Sequence, residues 1–200
     1  MSIPCIFYRG FIDPLLGPLR RRIVSLIPDG SSVLEAACGT GEQSLLLADK
    51  AHRIVGIDYN PKMAECARRR IFHIPEHQLS FLEADARSLP FVTDGEFDVA
   101  TITLALHEMH IDARLPVLRE LSRTAGSLLI ADYASPLPQT YIGRFTRIIE
   151  WLAGRDHFAG FMSYQRTGGL NTLIEEAGLE IIDEHSALRG IVRILQCRSV

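Results

Sequence analysis

The sequence predicts an α/β fold in which a mostly parallel β-sheet is covered by helices on both faces. Short apolar segments alternate with segments of helical periodicity between residues 13 and 131, and this alternation is typical of parallel sheets. The apolar segments are unbroken, as expected for strands that are buried on both sides. The last two strand patterns are only about four residues apart, so they form a hairpin and make one late strand antiparallel.

Turn and capping residues mark the boundaries of these elements. The triplet Pro28-Asp29-Gly30 ends the first helix, Pro61 occupies a first helical turn, and Gly178 follows the last helix. The predicted strands are 32–36, 53–57, 79–84, 97–104, 127–131, 179–186 and 191–198. The predicted helices are 13–27, 42–50, 62–71, 112–123 and 169–177.

Length and composition favour one globular domain over residues 1–200. The chain has 200 residues, of which 47% are hydrophobic and 22% charged, and its net charge is −3. These values exclude a disordered chain and give no overall field that attracts nucleic acid. No apolar stretch approaches the 20 or so residues of an integral membrane segment, and the N-terminus lacks a secretory signal, which favours a cytoplasmic location. The four cysteines are widely spaced, which argues against a zinc site or a disulfide framework.

The most informative segment is a small-residue loop after the first strand. Glu35 precedes it, and Gly39 and Gly41 allow a ligand to approach the backbone near a helix N-terminus. A dinucleotide loop has the pattern G-x-G-x-x-G, whereas this chain carries Ser44 at the position of the last glycine. The Glu35 carboxylate would repel a pyrophosphate but suits a cationic amino group. The loop therefore favours a nucleoside that carries an amino acid over a nicotinamide cofactor.

Two further carboxylates follow the next strands of the predicted sheet. Asp58 ends the second strand, where an acidic side chain can accept hydrogen bonds from both ribose hydroxyls. Asp85 ends the third strand and can accept from an adenine amino group, while the backbone of Ala86 addresses the ring. The carboxyl ends of parallel strands meet at one edge, so Glu35, Asp58 and Asp85 predict one nucleoside site.

These motifs resemble those of the class I S-adenosylmethionine-dependent methyltransferases. The resemblance rests on Glu35-Ala-Ala-Cys-Gly-Thr-Gly41, Gly56-Ile-Asp-Tyr-Asn-Pro-Lys-Met63 and Glu83-Ala-Asp-Ala86, together with the fourth and fifth strands at 97–107 and 127–133. It is strong from residue 31 to about residue 133 and looser over 168–200. It implies a three-layer Rossmann-like sandwich of seven strands with the last strand antiparallel. Ala37 replaces the family's common glycine, which we expect to be tolerated if the local φ is negative.

The resemblance also implies S-adenosyl-L-methionine as cofactor and S-adenosyl-L-homocysteine as product. It places the cofactor against three strand ends and an N-terminal segment. The implied cofactor-binding residues are Glu35, Ala37, Cys38, Gly39, Gly41, Asp58, Tyr59, Asp85, Ala86, Thr103, Leu104 and Tyr8.

Residues 137–166 form an insertion after the fifth strand. The arrangement is similar to that of the ubiquinone/menaquinone-type methyltransferases, in which an insertion at this place covers the acceptor pocket, so we expect a lid. A helix that completes the core or a dimer interface is the alternative. The expected acceptor-contacting residues are Tyr133, Tyr141, His157, Phe161 and Tyr164, and His107 is the candidate catalytic base, with His110 and Tyr133 as other candidates.

The expected reaction is O-, N- or C-methylation of a small, partly apolar acceptor by in-line methyl transfer. The segment after the fourth strand, Thr103-Leu-Ala-Leu106, lacks the Asn/Asp-Pro-Pro-aromatic turn that grips a flipped base, so no nucleic-acid partner is expected. His107-Glu-Met-His110 lacks the H-E-x-x-H spacing, so no metal is expected. The alternatives are a non-catalytic or regulatory module that binds S-adenosylmethionine, and a nicotinamide-dependent oxidoreductase. The chain is expected to be a monomer or a homodimer.

Overall fold

The computed structural model describes residues 8–199, without the side chains of Tyr8 and Phe11, so the role predicted for Tyr8 lies outside the described residues. A π-helical turn, Tyr8–Ile12, precedes the first helix. The helices are α1 (Asp13–Leu26), α2 (Glu42–Leu47), α3 (Pro61–Arg68), α4 (Ile111–Thr124), α5 (Tyr141–Leu152), α6 (Arg155–Arg166) and α7 (Leu170–Ala177). The strands are β1 (Ser32–Ala36), β2 (Arg53–Asp58), β3 (Leu79–Glu83), β4 (Phe97–Thr103), β5 (Ala125–Tyr133), β6 (Leu179–Ala187) and β7 (Val192–Ser199).

The seven strands form one sheet in the order β3-β2-β1-β4-β5-β7-β6. Strands β1 to β5 are parallel, whereas β7 is antiparallel to both β5 and β6. The predicted fold class is therefore confirmed. The chain reverses its direction of winding between β1 and β4, and such a switch point opens a crevice beyond the carboxyl ends of the two strands.

Two apolar clusters cover the two faces of the sheet. Helices α1, α2 and α3 contribute to one of them, through residues such as Leu19, Leu47 and Ala67. Helices α4 and α7 contribute to the other, through residues such as Leu118 and Leu173. This three-layer arrangement explains why the strands of the sheet centre carry continuous apolar sequence.

The segment predicted as a lid consists of two helices with different environments. The apolar side chains of α5 include Phe145 and Trp151, which are exposed. Helix α6 instead places Phe161 and Tyr164 in the core, where both are fully buried. Half of the segment thus belongs to the body of the domain, and a lid function of residues 137–166 stays a prediction.

Cys38 and Cys197 are buried free thiols. Cys66 is disulfide-bonded, a bond that the wide spacing of the four cysteines did not predict. In the described part of the chain, no helix combines the length and the apolar character that a membrane span needs.

Candidate functional site

Two adjoining cavities lie at the carboxyl ends of the parallel strands. The smaller one has a volume of about 270 Å³, and its wall is formed mainly by apolar side chains after β2 and β3 and from α4. The larger one, of about 560 Å³, extends from Asp58 past the end of β4 to α6. Ala37 and Met109 line both cavities, so the two form one continuous crevice at the switch point.

The loop after β1 has the left-handed backbone that its small residues allow. Gly39 has a φ of 56°, and the space where a Cβ would project is open. Gly41 has a φ of 75°, and a Cβ there would lie 2.4 Å from the Phe81 ring. Ala37 also has a positive φ, of 53°. The expectation of a negative φ at Ala37 is therefore wrong, and its methyl group is held in a conformation that favours glycine.

Glu35 is a buried carboxylate at the carboxyl end of β1. Its Oε2 accepts a hydrogen bond from the Ser44 hydroxyl of α2. Burial raises the pKa of Glu35 to about 7, against the opposing effects of Ser44 and the Arg20 guanidinium. Among residues 8–199, no cationic side chain forms an ion pair with Glu35. A cationic ligand would favour the ionised form of this carboxylate.

Asp58 ends β2 and lines the larger cavity. Its two carboxylate oxygens each accept a backbone hydrogen bond of 2.8 Å, from Gly39 and from Asn60. Burial raises the pKa of Asp58, and these two hydrogen bonds oppose the shift. The side chain is thus fixed in one orientation at the junction of β1 and β2.

The smaller cavity contains the residues predicted to surround an adenine. Tyr59, which is 75% exposed, stands at its mouth, and Asp85 and Ala86 line its wall. Asp85 accepts hydrogen bonds from the Arg87 guanidinium, including 2.9 Å between Nε and Oδ2. Arg87, which the sequence interpretation did not identify, lowers the pKa of Asp85 through these bonds. A ligand amino group would share this carboxylate with Arg87.

The end of β4 forms the other side of the crevice. Leu104 has a φ of 50°, and its backbone N–H donates to the Ala131 carbonyl across 2.7 Å. The Thr103 hydroxyl donates to Gln43 Oε1 at 3.1 Å. The Nε2 of that buried amide has no hydrogen-bond partner in the described part of the chain. Cys38 is buried, which raises the pKa of its thiol well above the usual value.

A second group of ionisable side chains lies behind the larger cavity. His107 Nδ1 is 2.7 Å from Asp132 Oδ1 on β5. The Tyr133 hydroxyl donates to Glu150 Oε1 at 2.7 Å, and the other oxygen of Glu150 is 2.7 Å from His157 Nε2. The elements β4, β5, α5 and α6 thus meet in one polar cluster at the edge of the crevice.

His107 is surrounded by carboxylates and is almost fully buried. Burial alone would lower its pKa, but Asp132, Glu108 and Glu150 outweigh this effect and raise the pKa to about 9. His107 does not line either cavity, whereas Glu108 and His157 line the larger one. A direct contact between His107 and an acceptor would therefore need a side-chain movement, and its role as a base stays a prediction.

The other residues predicted to contact the acceptor lie in three different environments. His157 lines the larger cavity, as expected. Tyr141 is 73% exposed on α5, where its hydroxyl accepts from Arg189 across 3.0 Å. Phe161 and Tyr164 are in the core, and the Tyr164 hydroxyl donates to the Tyr133 carbonyl at 2.9 Å. Acceptor contacts by these core residues would require α6 to move.

The sequence interpretation did not identify several residues of the site. Asp132 stands near the carboxyl end of β5, where the rule that identified Asp58 and Asp85 could have found it. Glu150 carries no such signal, because it is an acidic residue within an amphipathic helix. Arg20 is a further such residue: it is buried and pairs with Asp13 at 2.8 Å. Asp13 also accepts from the Thr40 hydroxyl at 2.7 Å, which fastens α1 to the glycine loop.

Comparison with known proteins identifies the family. A family model described as a methyltransferase domain matches residues 33–126. The chain is 30% identical over 185 residues to the ubiquinone/menaquinone biosynthesis C-methyltransferase UbiE of Paraburkholderia xenovorans. The alignment covers 82% of this chain and 74% of that protein. The chain belongs to the class I S-adenosylmethionine-dependent methyltransferases. The methyltransferase is also 32% identical, over 68% of its length and 64% of the relative's, to a demethylmenaquinone methyltransferase of Thermus thermophilus.

Solved structures support the fold of this methyltransferase. A SAM-dependent methyltransferase from Aquifex aeolicus aligns over 100% of both chains with a TM-score of 0.72, at 17% identity. Membership of this family makes S-adenosylmethionine the cofactor of the enzyme, and the site fits it. The crevice offers a buried carboxylate at Glu35, an unpartnered amide nitrogen at Gln43, and open space beside Gly39.

Proposed function

We propose that this methyltransferase methylates a small, partly apolar acceptor that binds in the larger cavity. The observation that carries the proposal is the junction of the two cavities at Ala37. The smaller, apolar cavity has the character of an adenine site. The larger one continues from Asp58 to Glu108 and His157, so it provides space for a second molecule next to the reacting end of the cofactor.

The chain's own residues bind and orient the two reactants. We assign the ribose to Asp58, the adenine to Tyr59, Asp85 and Ala86, and the cationic amino group to Glu35. The glycine loop from Ala37 to Gly41 and the backbone of Thr103 and Leu104 surround the methionine part. When bound, S-adenosylmethionine supplies a methyl group that is already electrophilic, so the enzyme has to align the nucleophile and exclude water.

The walls of the larger cavity support this class of acceptor. Its carboxylates are Asp58, Glu108 and Asp156, which would repel the phosphates of a nucleic acid. Met63, Leu104 and Met109 add apolar surface beside them. The acceptor that suits this mixture is a compact molecule with an apolar body and a polar, methylatable group. The curated relatives carry names from ubiquinone and menaquinone biosynthesis, which agrees with a quinol or phenol ring.

A methyl-transfer assay tests the proposal. Purified protein is incubated with S-adenosylmethionine labelled in the methyl group and with panels of quinols, phenols and amines. We expect label in at least one quinol or phenol and none in DNA or RNA. Cofactor binding without transfer to any acceptor would support the non-catalytic module instead. Light scattering of the same preparation distinguishes a monomer from a homodimer.

A further inference from the structure

The polar cluster behind the larger cavity brings two imidazoles and a carboxylate together. Nε2 of His107, Nε2 of His157 and Oε2 of Glu150 converge, and one ligand atom from each residue lies within 4.8 Å of the other two. Glu150 Oε2 is 2.7 Å from His157 Nε2 and 3.7 Å from His107 Nε2. Within residues 8–199, the buried Glu150 Oε2 has no well-aligned hydrogen-bond donor, and its short contact with His157 Nε2 is an ion pair. Three potential ligand atoms thus face one point.

We propose that His107, Glu150 and His157 bind a divalent first-row transition-metal ion, for which Zn²⁺ is the best match. Two histidines and one glutamate form a donor set that catalytic zinc sites use, with a further position open to a ligand. Ligands that surround a zinc ion tetrahedrally at about 2.1 Å lie about 3.4 Å apart. The two separations from Glu150 Oε2, 2.7 Å and 3.7 Å, lie on either side of this value.

Two of the three donor residues are oriented by a hydrogen bond to an outer partner, as ligands of metal sites usually are, and a carboxylate lies near the third. Asp132 holds Nδ1 of His107 at 2.7 Å, which leaves Nε2 directed at the cluster. The Tyr133 hydroxyl donates to Glu150 Oε1 at 2.7 Å, which leaves Oε2 available. Glu108 Oε2 lies 3.5 Å from Nδ1 of His157. Within residues 8–199, no other three histidine, cysteine or acidic side chains bring their ligand atoms within 4.8 Å of one another.

The role of the ion rests on the proposed function, whereas its binding does not. Of the three ligands only His157 lines the larger cavity, so an acceptor would reach the open position past this side chain. A bound hydroxyl would lose its proton to the Glu108 carboxylate or to water, since the ion lowers its pKa. The oxygen then forms a bond to the methyl carbon, and the electron pair of the broken carbon–sulfur bond stays on sulfur. Nε2 of His107 cannot bind a metal ion and accept a proton at the same time. In this proposal His107 is therefore a metal ligand and not the catalytic base.

The experiment uses the full chain, freed of metal with a chelator, and Co²⁺ alone as the probe. We expect one Co²⁺ per chain, with the visible absorption of a four- or five-coordinate ion, and Zn²⁺ should displace it. His157→Ala and Glu150→Gln should each weaken the binding at least tenfold. His77→Ala, which replaces an exposed histidine on a distant loop, is the matched control and should bind like the wild type.

A variant that removes only an outer partner tests the proposal even if the ligand variants fail to fold. Tyr133→Phe keeps all three donor atoms and should weaken Co²⁺ binding about tenfold, because Glu150 is no longer oriented. Thermal unfolding and calorimetry of S-adenosylmethionine binding show whether each variant is folded, and they report on the proposed function separately. Absence of Co²⁺ binding to the wild type, or unchanged binding in folded His157→Ala and Glu150→Gln, would overturn the proposal.

Discussion

The carboxylate of Asp58 accepts a hydrogen bond of 2.8 Å from the backbone N–H of Gly39, and this contact joins the end of β2 to the glycine loop. Its other oxygen accepts from Asn60. Each carboxylate oxygen has two lone pairs, so one lone pair on each remains for a ribose hydroxyl. Asp58 therefore shapes the loop and presents acceptors to the cofactor at the same time.

Replacing Asp58 by alanine should weaken the binding of S-adenosylmethionine at least tenfold, which corresponds to about 1.4 kcal/mol. The variant loses two acceptors for the ribose and the anchor of Gly39. Isothermal calorimetry measures the change. Asp49→Ala removes an exposed carboxylate at the end of the α2 region and serves as the control. Equal affinity of wild type and Asp58→Ala would remove Asp58 from the site.

The raised pKa of Glu35 should make the stability of the free enzyme fall as the pH increases. The folded-state pKa is about 7, against 4.5 for an ordinary glutamate, so the folded protein binds the extra proton. The stabilisation is complete below the lower value and is lost as the pH rises through the upper one. It amounts to about 3 kcal/mol. Urea unfolding between pH 5 and pH 8 measures the free energy of unfolding of both proteins. The wild type should show this decline in addition to the pH dependence of Glu35→Gln, which keeps all the other titrating groups.

Binding of the cofactor should reverse this preference of Glu35 for the proton. A cationic amino group near the carboxylate favours its ionised form, so binding near pH 6.5 should release up to one proton. Affinity should then rise with pH, by at most about tenfold per pH unit below the pKa of Glu35. Calorimetry in two buffers of different ionisation enthalpy counts the released protons. Glu35→Gln should release fewer, and an equal release in both proteins would contradict a role of Glu35 in recognising the amino group.

The nucleoside half of the site was predictable because it depends on strand ends. Parallel strands bring Glu35, Asp58 and Asp85 to one edge, so three separate sequence signals describe one place in space. The polar cluster was not predictable in this way. His107 follows β4, but Glu150 and His157 belong to two helices whose packing angle no local pattern determines.

Backbone conformation was the other limit of the sequence interpretation. The small residues after β1 predict a close approach of a ligand, but they do not give the sign of φ at Ala37. That sign depends on the turn from β1 into α2, in which Gly39 and Gly41 also have left-handed conformations. Likewise, the period of apolar residues in α5 predicts a helix with one apolar face. It does not show that this face is exposed while the adjacent α6 is buried.

Ala37→Gly should stabilise the enzyme, because the left-handed conformation costs a residue with a Cβ about 1–2 kcal/mol. The greater freedom of glycine in the unfolded chain offsets part of this gain, so we expect a net increase of about 0.5–1 kcal/mol in the free energy of unfolding. Chemical denaturation measures it. Ala36→Gly, one residue earlier in the buried strand β1, is the matched control and should destabilise. A loss of stability in both variants would show that Ala37 is not strained.

Gly160→Ala should disrupt the contact between α6 and the turn that carries His107. A Cβ at Gly160 would lie 2.6 Å from the Glu108 carbonyl oxygen and 3.0 Å from that of His107. Both neighbours are backbone, and the Gly160 carbonyl also accepts from the buried Arg114 at 2.8 Å, so α6 has little freedom to adjust. We expect a loss of about 1–3 kcal/mol in the free energy of unfolding.

The same substitution should impair methyl transfer more than cofactor binding. Displacement of α6 moves His157 relative to Glu108 on the opposite wall of the larger cavity, but leaves the loop beside Asp58 in place. Calorimetry should therefore give an S-adenosylmethionine affinity close to that of the wild type, while the rate with any acceptor falls. Ser163→Ala, which adds no atoms to the same helix, is the control for both measurements. A wild-type rate in Gly160→Ala would mean that the position of α6 does not define the acceptor site, because the helix must shift to admit the methyl group.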